Sequence, residues 1–343
     1  MRVCRKNDIN VLIIATDVSD PIFMTGYKNQ VVYTRKSKSL QDLCDIIADI
    51  KNRYKLDEVL IAPSTEYLNR FLLTNRAAFC NADITVPLVD IDVYQTLSDK
   101  QAFSDLCVKE GILVPLQIDD ISQVEFPFFL KPKRYEYYMG KPVLIEEEKQ
   151  LEQFKHDYDA SQWMAQEYIL GNSYYLLCYI KKSGEVFRFS QKNLIQQSGG
   201  RSIIAAEGSN IHTEKFVRKY ENTFKKIGFY GLVMIEVMKK RDMYYAIEAN
   251  PRFWGPSQLF VDCGVGFFEL FLHDNGFNVE LPVMPEGKKT RCYYFWGNGL
   301  KSTEKPDTFF NYSYEEMMRN WEFWQSVDIY NRPDTIELFD KGV

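Results

Sequence analysis

Residues 231–252 constrain this chain more tightly than any other stretch. They read Gly-Leu-Val-Met-Ile-Glu236-Val-Met-Lys-Lys-Arg-Asp-Met-Tyr-Tyr-Ala-Ile-Glu248-Ala-Asn250-Pro-Arg252, two apolar runs around a charged turn, which is the pattern of a β-hairpin. Successive side chains of a strand point to opposite faces. Val233, Ile235 and Val237 therefore share one face of the first strand, and Tyr245, Ile247 and Ala249 one face of the second. Glu236 falls on the other face with Met234 and Met238, and so do Glu248, Asn250 and Ala246. A three-residue loop at 241–243 pairs residue 240 with 244 and sets Glu236 directly across from Glu248. Two carboxylates placed in this way repel each other unless positive charge lies between them. With the Asn250 amide oxygen they form an all-oxygen set that suits Mg2+ and a bound phosphate. A merely solvated sheet face is the plainer alternative, and the methionines on that face argue against it. Arg252, just beyond Pro251, is the type of side chain that forks around a phosphate.

The rest of the composition narrows the class. A length of 343 residues suggests two domains, with room for a small third lobe. Hydrophobic residues make up 45% and charged residues 26%, an ordinary globular balance that excludes extensive disorder. The net charge of -5 argues against nucleic acid as the main partner, since phosphate contacts supply most of that affinity. No apolar run approaches the ~18 residues of a membrane helix, and nothing behind Met1 resembles a signal peptide. Seven cysteines without metal-ligand spacing read as reduced thiols, and His156, His212 and His273 are too dispersed for a zinc site. A soluble cytoplasmic α/β protein is expected.

Along the chain, strands at 11–15, 31–34 and 59–62 alternate with helical patterns at 40–50 and 67–75, which implies one parallel sheet with crossover helices. Ligands of such sheets lie beyond the strand carboxyl ends, so the loop 63–66 is either a binding edge or a simple helix cap. A helix is expected from about Lys100 to Lys109, capped by Ser98 or Asp99. A strand-rich lobe follows, with strands at 126–131 and 141–145, a helix at 148–156, and a strand pair 163–169 with 174–180 around Gly171. Residues 185–190 continue it as a strand. Residues 191–208, rich in Gln, Ser and Gly, read as a mobile loop. Helices at 213–227, 264–273 and 314–323 and an aromatic strand at 292–296 complete the outline.

The motif Ile247-Glu248-Ala249-Asn250-Pro251-Arg252 resembles the terminal metal-binding motif Glu-x-Asn-x-Arg of the ATP-grasp superfamily, with Glu236 as its partner on the preceding strand. Ser98-Asp99-Lys100 resembles the first phosphate lysine of that family, and Phe129-Leu130-Lys131-Pro132 is similar to its second. Gln166-Glu167-Tyr168-Ile169-Leu170-Gly171 looks like the hinge strand whose main chain reads adenine. Two departures stand beside these matches. The loop 133–140 is bulky and aromatic where the family is rich in Gly and Ser, and Ser173 and Tyr174 occupy the place of an acidic ribose ligand.

The resemblance implies an N-terminal parallel-sheet α/β domain at 1–98, then a two-lobed ATP-grasp domain with α+β character, and a small C-terminal extension at 286–343. The lid lobe would span 99–190 and the metal-binding lobe 191–285. It implies ATP and Mg2+, or Mn2+ in its place, held at Glu236, Glu248 and Asn250. The nucleotide would meet Lys100, Lys131, Gln166, Glu167, Tyr168, Ile169 and, at a strand exit, Lys192. Arg252 and Arg201 would serve the transferring group, Arg201 from a Gly-Gly-Arg-Ser loop closing over the site. The activity implied is that of a carboxylate–amine ligase or carbamoyl-phosphate-synthase-like enzyme, in which a small-molecule carboxylate becomes an acylphosphate that an amine attacks. A kinase acting on a hydroxyl and a non-catalytic, regulatory ATP-binding module are the alternatives. Glu66, Arg70, Trp254 and Gln258 are candidates for the substrate side by their position along the chain. The aromatic C-terminal segment offers a surface for a homodimer.

Overall fold

The architecture follows from where apolar residues recur every second position and where that period breaks. The computed structural model describes residues 1–343 except 36, 38, 135–141, 155–157, 282–291, 302–306 and 342–343. Near the N-terminus, β1 (Ile13–Ala15) pairs in parallel with β2 (Val31–Thr34), and β3 (Val59–Leu60) with β4 (Ile84–Thr85). The single parallel sheet expected here is thus two separate parallel pairs. Between them runs the amphipathic helix Leu40–Tyr54, whose Ser39 side chain accepts from the Asp42 amide as an N-cap.

A four-stranded antiparallel sheet follows: β5 (Gln117–Ile118), β6 (Phe128–Pro132), β7 (Val143–Ile145) and β8 (Trp163–Glu167), in the order β5-β8-β6-β7. Phe128, Leu130, Ile145, Leu151, Trp163 and Ala165 close its own small core. The larger sheet takes β9 (Asn172–Ile180), β10 (Val186–Gln196), β11 (Ile203–Ser209), β12 (Gly231–Lys240), β13 (Met243–Asn250), β14 (Tyr293–Phe295) and β15 (Thr308–Phe309). Its order is β13-β12-β9-β10-β11-β14, with β15 added against β10. β9 is central and buried on both faces. Leu176, Cys178 and Ile180 enter one core with Val233, Ile235 and Val237, while Tyr175, Leu177 and Tyr179 enter the other with Leu232 and Met234.

Two expectations are corrected here. β8 and β9 do not pair: the chain passes from the small sheet to the large one at Gly171, where a Cβ would overlap the Lys239 carbonyl. Only glycine lets the two backbones approach so closely. β10 also runs unbroken across residue 190, in a large sheet whose first strand starts at Asn172. Residues 191–208 are not a loop but the long β10–β11 hairpin, whose turn has Gly199 and Gly200 at φ +74° and +70°. Their polar composition reflects a polar lining. Gln191 and Asn193 are wholly buried, and Asn193 donates to Ser173 Oγ at 2.8 Å.

Farther on, the helix expected at 314–323 is split into Tyr314–Arg319 and Trp321–Ser326. Cys263 and Cys292 are joined as a disulfide with Cα atoms 5.7 Å apart, against the expectation of seven thiols. The proposed loop at 133–140, the first residue of the 141–145 strand, His156 and the boundary at 285–286 lie wholly or partly outside the described residues. Among the described residues no helix is long and apolar enough to cross a membrane.

Candidate active site

The β12–β13 hairpin forms as its alternation requires, with one difference that keeps the two carboxylates opposed. Lys240 pairs with Met243, so the turn is the two-residue Arg241-Asp242, with Arg241 at φ +56°. That register alone would leave Glu236 and Glu248 out of step. A β-bulge between Glu236 and Val237 restores it, and Glu236 faces Glu248. The bulge also reverses the faces of β13 ahead of Glu248. Tyr244, Ala246 and Ala249 enter the core with Val237, whereas Tyr245 and Ile247 do not.

Two lysines from separate elements converge on this pair. Lys100 is the first residue of the Lys100–Lys109 helix, and its Nζ lies 2.8 Å from Glu248 Oε2. Lys131, buried on β6, donates to Gln166 Oε1 on β8 at 3.2 Å. Asn250 Nδ2 donates to Glu248 Oε1 at 2.8 Å, and Arg252 donates to Asn250 Oδ1 at 3.0 Å. The site is thus a close packing of alternating charge. Burial and the neighbouring Glu248 charge push the Glu236 carboxyl well up. Burial would raise Glu248 too, but the Lys100 ammonium outweighs it and holds that carboxyl below the usual range. Burial and the Lys100 charge bring the Lys131 ammonium down to about 8.

The donor set fits a hard divalent cation. Glu236 is a carboxylate lacking a hydrogen bond among the described residues, beside Glu248 and the Asn250 amide. Mg2+ needs only one or two protein carboxylates when phosphates supply the rest of its shell. Among the described residues no cluster of three or more His, Cys, Asp and Glu side chains occurs.

A second network ties this site to the N-terminal part. Thr65 caps the helix Glu66–Thr74, accepting from the Leu68 amide, so the loop 63–66 is a helix cap. It is also an edge of the site. Glu66 accepts from Arg70 Nε at 2.7 Å and from the Tyr94 hydroxyl at 2.8 Å, and it lies 3.8 Å from Arg252 Nε. Arg70 reaches on to Ser98 Oγ at 2.8 Å and Asp99 Oδ1 at 2.6 Å. Asp99 makes no side-chain cap for its helix; its carboxylate holds Arg70, one residue before Lys100. Among the substrate-side candidates, Glu66 and Arg70 therefore adjoin the cluster. Trp254 is packed against Phe260 in the core, and Gln258 bonds Arg2, far along the chain.

At the crossover, Glu167 donates its amide to Leu116 O at 2.9 Å, and its carboxylate accepts from Lys240 at 2.9 Å. The Tyr168 ring tilts against Phe129, 5.5 Å away, and Ile169 is buried. Among the described residues the main-chain groups of Tyr168 and Ile169 carry no hydrogen bond. Two predicted residues are not brought to the cluster. Lys192 pairs with Tyr174 and Glu207 in a row on the sheet face opposite Glu236. Arg201 sits at the β10–β11 turn and donates to the Ser198 carbonyl at 3.2 Å.

Residues 97–256 match the family model of the ATP-grasp domain. The chain carries an ATP-grasp domain. Solved structures with the same fold include the biotin carboxylase domain of Hydrogenobacter thermophilus 2-oxoglutarate carboxylase, in complex with MgADP, ADP and bicarbonate. Its TM-score is 0.63 and its identity 14%, over 85% of this chain and 69% of that one. The ADP complex of N5-carboxyaminoimidazole ribonucleotide synthetase matches with a TM-score of 0.60 and 12% identity, over 81% and 73%. An L-amino acid ligase from Bacillus licheniformis matches with a TM-score of 0.52 and 15% identity, over 74% and 64%. At these identities the likeness is one of fold. No curated protein matches the sequence.

The ATP-grasp domain also contains polar residues that the sequence reading missed. Gln191 lies in the same cross-strand row as Glu236 and Tyr175, is wholly buried, and has a side-chain oxygen without a partner. Its signal was present: Phe189, Gln191 and Asn193 recur at period two, hidden by the local polarity.

Proposed function

We propose that the chain is an ATP- and Mg2+-dependent ligase that activates a small-molecule carboxylate as its acylphosphate and couples it to an amine. The observation that carries this reading is the opposed pair Glu236 and Glu248 with Lys100 and Lys131 converging on it from two other elements. The similar folds support it: a biotin carboxylase domain with MgADP and bicarbonate, a synthetase with ADP, and an amino acid ligase.

In this reading Lys100 and Lys131 meet the negative charge of the triphosphate, the role of charge-assisted bonds from ammonium groups. Glu236, Glu248 and Asn250 hold Mg2+, which when bound draws charge from the phosphate oxygens. The unpaired main-chain groups of Tyr168 and Ile169 take the adenine edge, with Gln166 and Glu167 beside them, because buried backbone groups require partners. The substrate carboxylate oxygen attacks the γ-phosphorus and ADP leaves with the bond pair. The amine nitrogen then attacks the acyl carbon, inorganic phosphate departs, and the amine gives up a proton. Arg252, anchored by Asn250 and facing Glu66, balances charge on the transferring group. Lys192 and Arg201 stay outside this set, because one faces away and the other binds its own turn. The division of labour follows the sheets, with β5–β8 as the lid and the large sheet as the metal-binding part.

The test is Mg2+-dependent phosphate release from ATP with pooled carboxylates and amines, with Glu248→Gln as the control. Release that requires the pool and falls at least a hundredfold in the variant is expected. Phosphate transferred to an alcohol, with none released, overturns the ligase in favour of a kinase. Nucleotide binding without turnover across the pools favours a regulatory module.

A further inference from the structure

On the face of the large sheet opposite Glu236, a cavity of about 240 Å³ opens against the C-terminal segment. Its floor is one cross-strand row: Lys192 on β10 pairs with Glu207 on β11, which pairs with Tyr293 on β14. The helix Trp321–Ser326 covers it with Phe323 and Trp324, and Asn311 and Asn320 stand at its edge. Lys192, expected at the nucleotide, lies here instead, and the proposed reaction uses none of these residues.

We propose that this cavity binds a small zwitterionic ligand with an apolar body, of the class of an α-amino acid. The Lys192 Nζ to Glu207 Oε1 separation is 3.5 Å, longer than the ~2.7–2.9 Å of a tight charge-assisted bond. Neither side chain has another partner among the described residues, so an ammonium with three donors and a carboxylate with several lone pairs retain bonding capacity. Both are partly open to the cavity, with side chains 27% and 31% exposed. A carboxylate and an ammonium carried on one carbon complement this adjacent pair. A ligand bearing one charge alone would leave the other side chain unmatched.

The walls suit the apolar body. Tyr293 meets Phe323 edge to face at 4.9 Å and 89°, and Trp324 at 6.0 Å and 87°. Trp324 is fixed by donating Nε1 to the Tyr312 hydroxyl at 2.7 Å. Rings held this rigidly give large contact area and attract an ammonium over their faces. Asn320 donates its amide to Glu316 O at 2.8 Å, which leaves its side-chain oxygen without a partner among the described residues. The volume is below the ~300–1,000 Å³ of drug-sized pockets, so a nucleotide is too large and an amino acid fits. β10 thus presents neighbouring residues to two places, Gln191 to the cleft and Lys192 to the cavity.

The experiment is titration calorimetry of the full chain with L-phenylalanine and L-leucine. 3-Phenylpropanoate and phenethylamine serve as single-charge controls. Saturable binding of an amino acid is expected, weakened at least tenfold in Glu207→Gln and in Phe323→Ala and unchanged in Glu248→Gln. Melting curves of both cavity variants within a few degrees of the parent establish that they fold. No binding of either amino acid overturns the proposal, as does binding that survives both cavity variants. Binding lost in Glu248→Gln also overturns it and assigns the amino acid to the cleft, an outcome independent of whether ATP is turned over.

Discussion

Lys131 illustrates what burial does to a single side chain. Its ammonium lies under Gln166 and 5.3 Å from the Phe129 ring centroid, and burial, then the Lys100 charge, brings it down to about 8. A group poised there is charged at neutral pH and loses its proton soon above it. If it receives nucleotide phosphates, binding requires the protonated form, so affinity should be flat below pH 8. Above that it should fall by up to about tenfold per pH unit. Calorimetric titration with ATP between pH 6.5 and 9.5 measures this. Lys131→Met should weaken binding about tenfold or more at pH 7 and remove the pH dependence, since a charge-assisted bond is worth ~1.5–3 kcal/mol. A variant that keeps the same pH profile would assign the titration to another group.

At the scale of elements, the site depends on how strands and helices are brought into register. Gly171 is where the small sheet hands the chain to the large one, and the backbone passes against the Lys239 carbonyl. Gly171→Ala should cost about 1–3 kcal/mol by overpacking, measurable by urea unfolding. The helix Lys100–Lys109 is held at its start by Arg70, which joins Glu66 to Asp99 with the side chains largely buried. Arg70→Met removes the cation that Glu66 and Asp99 share and should cost about 3 kcal/mol. Nucleotide affinity should fall with it, because Lys100 adjoins Asp99. Arg70→Lys should recover part of each.

At the scale of the whole molecule, the two ends of the chain are tied together. Arg2 donates to Asp334 at 2.7 and 2.8 Å, and the Tyr27 hydroxyl donates to the same carboxylate at 2.5 Å. Burial alone would raise Asp334, but these bonds bring its carboxyl down to about 2. A carboxyl lowered on folding stabilises the fold above its unfolded value near 4, and that stabilisation is lost as pH falls toward 2. Allowing for solvent screening at a partly exposed site, Asp334→Asn should cost about 1 kcal/mol at pH 7. The difference between parent and variant should shrink from pH 4 downward. Thermal melting at pH 7, 4 and 2.5 checks both the size and the direction.

Much of the site was legible in the residues because strand alternation is local. Glu236, Glu248, Asn250 and Arg252 are fixed relative to one another by a period of two and a short turn, and the alternate apolar residues bind that hairpin to its sheet. Even so, the expected pairing of Glu236 with Glu248 holds through a bulge and a shorter turn than the three-residue loop inferred from spacing. What only the tertiary structure decided concerns groups far apart in sequence. That β8 leaves for one sheet and β9 for another depends on which neighbours bury them. That polar Gln191 and Asn193 lie in a strand depends on the face they line. That Lys192 turns away from Glu236 depends on a register across three strands. The convergence of Lys100 and Lys131 on one carboxylate pair, and the Arg70 tie between Glu66 and Asp99, arise from packing of elements that no local period relates. A sequence sets faces through backbone geometry, whereas long-range packing decides which faces meet.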